Sequence, residues 1–154
     1  MIDDIDLKIL DVLQSKGRIS FTQLSEKCNL SITSTAERVK KLEDKKIISG
    51  YSAQIDINKI SNFLIVFITV TLDRPIAKSQ FSLEIEKQDM IKECYHIAGE
   101  GSYLLKVICH NIEELENLIN KNLKGILGVT KTVTTLVLST EKNESKFNFN
   151  KVKI

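Results

Sequence analysis

Residues 63–72, FLIVFITVTL, constrain the fold more than any other stretch of the chain. Their period is two, the repeat of an extended strand, with Leu64, Val66, Ile68 and Val70 on one side and Phe63, Ile65 and Phe67 on the other. A sheet with helices on one face and water on the other alternates apolar with polar residues. Here both sets are apolar. Burying side chains of this size stabilises a fold by roughly 1.5–3 kcal/mol each, so both faces of this strand need a cover. The simplest second cover is the same sheet of another copy, which predicts a dimer. The alternative is a central strand buried by the chain's own linker.

The elements after this strand complete a recognisable order. Pro75 to Lys87 reads as a helix with Ala77, Phe81 and Ile85 inward and Pro75 at a permitted first-turn position. Ile91 to Ala98 reads as a strand, Gly99-Glu100-Gly101 as a turn, and Ser102 to His110 as a third strand. Ile112 to Leu123 reads as an amphipathic helix with Ile112, Leu115, Leu118, Ile119 and Leu123 inward, and Val129 to Ser139 as the last strand. The order βαββαβ predicts a ferredoxin-like four-stranded antiparallel sheet with both helices on one face.

Before residue 63 the period is helical. Ile5, Ile9, Leu10 and Leu13 share one stripe of a first helix whose opening turn is acidic, as the helix dipole favours. Lys16-Gly17-Arg18 ends it, and Ser20 with Gln23 reads as a capping box opening a second helix with Phe21, Leu24 and Cys28 inward. Asn29 suits a left-handed cap. Ser31 caps a third helix whose buried stripe is Thr35, Val39 and Leu42. Three short helices with tight turns predict a helix-turn-helix of the winged type.

The chain as a whole reads as α+β. Residues 1–50 form the helix-turn-helix, 51–62 a linker strand, 63–139 the ferredoxin-like domain and 140–154 a polar C-terminal tail. The tail is expected to be mobile, although Phe147 and Phe149 suit a strand added to a sheet edge or to a neighbour.

Composition excludes several classes. At 42% hydrophobic and 27% charged residues the chain is that of an ordinary globular protein. Its longest apolar run, Phe63 to Ile68, is far too short to span a bilayer, and the N-terminus is acidic where a signal peptide is basic. A cytoplasmic protein with no membrane partner is expected. Cys28, Cys94 and Cys109, with His96 and His110, have no metal-ligand spacing, so free buried or half-buried thiols and no metal are expected. No glycine-rich phosphate loop, helical His-Glu pair or nucleophile elbow is present. No catalytic residue and no cofactor are expected.

Formal net charge is only +2, so any nucleic-acid footprint must be local. The third helix supplies one. Opposite its buried stripe it presents Ser31, Ile32, Thr33, Ser34, Glu37, Arg38, Lys40 and Lys41. Short hydroxyl side chains allow close approach to base edges. Five basic residues between Arg38 and Lys46, against Glu43 and Asp44, can neutralise flanking phosphates. For an isolated helix a solvated charged face is the simpler explanation; behind two tightly spaced helices, a major-groove helix is expected.

Asp3-x-x-Asp6-x-x-Ile9-Leu10, Gly17-Arg18-Ile19-Ser20, Leu24, Leu30-Ser31, Arg38-Val39-x-x-Leu42-Glu43, Ile48-x-Gly50-Tyr51, Gly99 and Tyr103-Leu104-Leu105 together resemble the Lrp/AsnC (leucine-responsive, feast/famine) family of prokaryotic transcription regulators. The resemblance runs to about Leu138. It implies a head binding double-stranded DNA, a linker strand, and an effector domain that forms homodimers and from them tetramers or octamers. It also implies a small-molecule effector, an amino acid or related metabolite, bound where dimers meet. On this resemblance Gly99, Glu100, Gly101, Ser102, Tyr103, Thr132 and Thr134 are the effector residues, the turn supplying backbone amides for a carboxylate. Thr130 is read on the same side of the last strand as Thr132 and Thr134.

Two departures matter. Lys46 stands where the family has Gly after the recognition helix, and since a left-handed lysine costs roughly 1 kcal/mol a different helix end is expected. Ser102 replaces the second carboxylate of the family's Gly-Asp-x-Asp-Tyr turn, so either Glu100 is the ammonium partner or the ligand lacks an amino group. The residues alone equally suit a hairpin whose glycines only permit positive φ, and threonines chosen for β-propensity. Cys94 and His96 read as interface packing, and Lys106 as either a satisfied edge residue or a group reaching the effector. Two rival functions remain: an architectural DNA-binding protein without effector, and a metabolite-binding ferredoxin-like protein whose helical head mediates protein contacts.

Overall fold

A helix leaves its first four N–H groups without partners, and the head meets this need with short polar side chains. The computed structural model describes residues 2–73, 77–144 and 146–149, so Pro75 lies outside the described residues. Asp3 opens α1 (Asp4–Ser15) with a reciprocal box: its carboxylate takes the Asp6 N–H at 2.9 Å, while the Asp6 carboxylate takes the Asp3 N–H at 3.2 Å. Ser20 opens α2 (Phe21–Cys28) by accepting the Gln23 N–H at 3.2 Å. Ser31 opens α3 (Ile32–Asp44) by accepting the Ser34 N–H at 3.1 Å.

The helix ends are equally specified. Asn29 closes α2 in the left-handed conformation (φ 56°), its N–H on Glu26 O and the Leu30 N–H on Ser25 O at 3.0 Å. Lys46 departs from expectation. It also takes φ 56°, with its N–H on Glu43 O and the Ile47 N–H on Leu42 O, both at 2.9 Å. This is the closure a glycine would make. Two carbonyl partners and the return of Ile48 to the core hold the lysine where sterics alone disfavour it.

Ile9, Leu24, Cys28, Val39 and Leu42 form the head's core, ringed by Ile5, Leu10, Val12, Leu13, Ile19, Leu30 and Ile48. Phe21, expected inside, is 45% exposed; it is the first residue of α2, and the turn after it buries Leu24 and Ser25 instead. Residues 51–56 adopt no strand, contrary to the expected linker strand. A ladder needs a neighbouring strand for its N–H and C=O groups, and none of the described strands pairs with this segment. A single 3₁₀ turn follows at Ile57–Lys59, capped by Asp56.

By its contacts the chain divides into Met1–Ile55 with Lys142–Ile154, and Asp56–Glu141. The tail thus belongs with the head. Gln14 holds it by imitating a strand edge: its Nε2 donates to Phe147 O at 2.6 Å and its Oε1 accepts the Phe147 N–H at 2.9 Å.

The second unit is the βαββαβ sheet. Its strands β1 (Leu64–Leu72), β2 (Ile91–His96), β3 (Tyr103–Cys109) and β4 (Val129–Leu136) lie in the order β2-β3-β1-β4, all antiparallel. Val66, Ile68 and Val70 of β1 and Tyr103, Leu105, Val107 and Cys109 of β3 face the helices and are buried. Phe81 and Ile85 of α4 (Ala77–Glu86) close over them, together with Leu115 of α5 (Ile112–Asn117). Beyond Asn117 the chain winds as a π-helix, Leu118–Leu123, which the sequence did not announce. Its wider turn sets Leu118 and Leu123, five residues apart, on one buried side. Ile112, expected inward, opens α5 and is 55% exposed.

The opposite sheet face is only half covered within this unit. Phe63, Ile65, Phe67, Leu104 and Ile108 remain partly exposed on it, beside exposed Val133 and Tyr95. One polar cluster interrupts them: Lys106 pairs with Glu93 at 2.8 Å, and the Tyr95 hydroxyl donates to the same carboxylate at 2.8 Å. Lys106 and Tyr95 together hold the Glu93 carboxyl below the usual range.

Candidate nucleic-acid interface and effector site

Buried Thr35, Val39 and Leu42 turn the opposite side of α3 outward. Ser31, Ile32, Thr33, Ser34, Glu37, Lys40 and Lys41 are all exposed there. The N-terminal part is short and hydroxylated. Ser31 and Ser34 hydrogen-bond to one another at 3.0 Å, and Thr35 Oγ1 donates to Ser31 O at 2.9 Å, which leaves the exposed Thr33 hydroxyl without a protein partner among the described residues. The cationic part lies one to two turns further on, in Lys40 and Lys41.

Arg38 does not join this surface as expected. Its Nη1 donates to Asp3 Oδ2 at 2.8 Å, to Asp3 Oδ1 at 3.0 Å and to Asp6 Oδ1 at 2.7 Å. The reason is its place three residues after Thr35 and four before Leu42, on the flank of the buried stripe. The Asp6 N–H and then the Arg38 guanidinium hold the Asp3 carboxyl below its usual range. Sequence reasoning missed this pairing, although two aspartates at a helix start and an arginine flanking a buried stripe are its signal.

In the second unit Tyr103 pairs with Val70 and His96, and Val70 with Thr132; one row further on, Leu105, Ile68 and Thr134 align. Paired residues share a face, so Thr132 and Thr134 lie on the helix side of edge strand β4, at the same end of the sheet as the turn before β3. Two strand spacings of roughly 4.8 Å separate Thr132 from Tyr103. Thr132 is half-buried and Thr134 exposed. Thr130 does not extend this row: it sits at the irregularity where β1 and β4 shift register, and its hydroxyl donates to Thr71 O at 3.2 Å.

The turn itself divides its roles. Gly101 has φ +95°, and a Cβ there would overlap the Thr69 methyl, so this glycine is required by both backbone and space. Ser102 is tied into the sheet: its N–H donates to Val70 O at 2.8 Å, its hydroxyl accepts the Leu72 N–H at 3.0 Å, and its carbonyl accepts the Ile97 N–H at 3.0 Å. The Tyr103 side chain is core, its ring 4.7 Å from that of Phe81 and its hydroxyl buried without a partner among the described residues. Burial pushes that phenol up. Gly99 (φ +140°) and Glu100 stand free, and no protein acceptor takes their N–H groups or that of Gly101 among the described residues. Of the expected effector residues, Gly99, Glu100 and Gly101 thus offer free amides in the turn, and Thr132 and Thr134 offer hydroxyls on the helix side of β4, while Ser102 and Tyr103 serve the fold.

Lys106 faces the other side of the sheet with Phe67 and pairs with Glu93, so it is a satisfied residue and does not reach this end. Cys94 and His96 lie on the helix side of edge strand β2, with His96 5.1 Å from the Tyr103 ring. Cys28 and Cys109 are buried and free as expected, whereas Cys94 is exposed at the sheet edge. Among the described residues no three metal-ligating side chains come together, and no helix is long and apolar enough to cross a membrane.

Comparison with known proteins agrees with this division. Residues 2–49 match the winged helix-turn-helix DNA-binding family, and residues 65–147 match the Lrp/AsnC ligand binding domain family. The leucine-responsive regulatory protein of Escherichia coli K12 is 35% identical over 147 residues, covering 94% of this chain and 90% of that protein. A Neisseria meningitidis transcriptional regulator, solved as its complex with L-Met, superposes with a TM-score of 0.90 at 28% identity over 97% of this chain and 98% of that one. Bacillus subtilis LrpC superposes at 0.81 with 30% identity, covering 94% and 99% of the two chains.

Proposed function

This chain belongs to the Lrp/AsnC family of transcriptional regulators, with a DNA-binding head and a ligand-binding domain, and on that premise we propose how it meets DNA, effector and its own copies. α3 enters the major groove with Ile32, Thr33 and Ser34 at the base edges, where a hydroxyl reads donors and acceptors and an apolar side chain meets a thymine methyl. Lys40 and Lys41 neutralise phosphates beside the groove. The observation that carries this reading is the outward face of α3, short and polar at its start and cationic after it.

The half-covered sheet face, with Phe63, Ile65, Phe67, Leu104 and Ile108, packs on the same face of a second chain, and dimers then assemble into tetramers or octamers. A homodimer presents two heads to a palindromic site with half-sites on one side of the duplex. The free amides of Gly99, Glu100 and Gly101 receive the carboxylate of an amino acid, Glu100 takes its ammonium group, and the hydroxyls of Thr132 and Thr134 complete the site without charge. The protein acts in the cytoplasm and catalyses no reaction, in keeping with a family of regulators.

One observation favours a second reading, an architectural DNA-binding protein without effector: Ser102, in place of a carboxylate, is engaged by the fold. A thermal-shift series with the twenty amino acids decides between them, since a ligand of the native state raises the melting temperature. A rise of several degrees with one amino acid, reduced in Glu100→Gln, is expected. No rise with any of them favours the architectural reading.

A further inference from the structure

We propose that Arg38, Asp3 and Asp6 form a clasp that sets the orientation of α3 for base readout, and that Arg38 is a positioning residue and not a phosphate contact. This rests on the reading of α3 as the groove helix. Apolar packing is non-directional, and α3 contributes only Val39 and Leu42 to a core of five buried apolar residues, with Thr35 buried beside them. Such a seat resists separation of α3 from α1 better than it resists rotation of α3 about its own axis. Charge-assisted hydrogen bonds are directional, and the clasp makes three of them, at 2.7, 2.8 and 3.0 Å.

The acceptors are themselves fixed. Asp3 Oδ1 holds the Asp6 N–H and Asp6 Oδ2 holds the Asp3 N–H, so both carboxylates are tied to the first turn of α1. Asp6 is 3% exposed. A carboxylate that buried needs a partner, and Arg38 is its charged partner. The guanidinium therefore has one low-energy position relative to α1, and α3 is held at that angle. Two carboxylates against one guanidinium also leave the cluster at net −1, so the clasp adds no positive potential toward DNA.

The two roles predict opposite signs for Asp3→Asn. Asn caps a helix as well as Asp, so α1 keeps its start while the clasp loses a charge. If Arg38 contacts phosphate, removing a negative charge from the head tightens DNA binding. If it positions α3, binding to a duplex selected by the wild-type full-length protein from a random library weakens by about fivefold or more, the lower end of ordinary coupling between sites. The slope of log affinity against log salt stays at the wild-type value, and affinity for an unselected duplex does not fall, so the specificity ratio drops. That ratio separates positioning from a loss of stability, which lowers both affinities together. Arg38→Lys, which keeps the charge but ends one bond short of the Nη1 that makes all three contacts, gives the same pattern and serves if Asp3→Asn melts near the assay temperature. Equal or tighter binding of the selected duplex by both variants overturns the proposal. Loss of salt slope in Arg38→Lys overturns it as well. Lys41→Ala is the control for the underlying reading: a wild type and Lys41→Ala that both bind DNA without salt dependence sink that reading and the clasp with it. A normal Lys41→Ala response beside an unaffected Asp3→Asn sinks the clasp alone.

Discussion

The outward side of α3 and the open face of the sheet are both left without a cover by their own units, and their chemistry is opposite. The first offers Thr33, Ser34, Lys40 and Lys41; the second offers Phe63, Ile65, Phe67, Leu104 and Ile108 around one neutralised ion pair. A polar face loses little by standing in water, so its charges and hydroxyls suit a hydrated, charged partner met reversibly. An apolar sheet face is stabilised by staying covered, and its Lys106 is already paired with Glu93 within the chain. An uncovered surface thus constrains its partner's chemistry: a hydrated, charged partner for the DNA-binding head, and an apolar one for the sheet, for which a second copy of the same face is proposed.

The strongest way to break that contrast is to put a charge on the apolar face. Phe67→Asp is expected to leave the protein at the mass of one chain, since burying an unpaired carboxylate costs about 3 kcal/mol or more. Sedimentation velocity checks this at micromolar concentration. A wild type that already sediments as one chain, or a variant that keeps the wild-type mass, contradicts the dimer.

The next effect tests whether the sheet end is held as rigidly as its packing implies. Gly101→Ala must both adopt φ +95° and displace the Thr69 methyl, so a loss of about 2–4 kcal/mol is expected in urea unfolding. Gly99→Ala meets no neighbour and should lose less. Equal losses would show that space around Thr69 is not the constraint.

On the polar face, Lys40→Ala and Lys41→Ala each remove one phosphate contact per head. With a slope of about 0.9 per phosphate, each should flatten the salt dependence of a two-headed dimer by roughly 1.8. Fluorescence anisotropy across a salt series measures it, and slopes unchanged in both variants would take α3 out of the groove. The smallest effect lies at the end of α3. Lys46→Gly relieves a left-handed lysine (φ 56°) and should stabilise the head by about 0.5–1 kcal/mol in thermal unfolding. A loss of stability would mean that the lysine side chain contributes more than its backbone costs.

Much of this was legible in the sequence because it depends on local rules. Ser31 as cap, Asn29 as left-handed closure, and Thr35, Val39 and Leu42 as the buried stripe follow from spacing alone, and so does the order of strands and helices. What escaped depends on partners far away along the chain. Arg38 joins the exposed cations on a simple count of charge, and only the approach of α1, thirty-five residues earlier, takes it away. Ser102 reads as a lost carboxylate, while its hydroxyl in fact closes the end of β1 on Leu72. Lys46 adopts the glycine conformation because two carbonyls of α3 and Ile48 hold it there. Leu118 and Leu123 are buried as their apolar character implies, but five residues apart they meet one side through a π-wound turn that no local signal in the sequence marks. The effector end is the least legible part, since threonines in an edge strand also satisfy β-propensity.

The central claim is that α3 carries this protein onto duplex DNA under control of a metabolite. Its most direct test is the affinity of the full chain for a selected duplex across a salt series, repeated with a mixture of the amino acids. Lys40 and Lys41 on each of two heads neutralise about four phosphates, so a slope of about −3.6 or steeper is expected, with the whole line displaced by about fivefold or more when the effector is present. A flat line, with affinity indifferent to salt and to every amino acid, would contradict it.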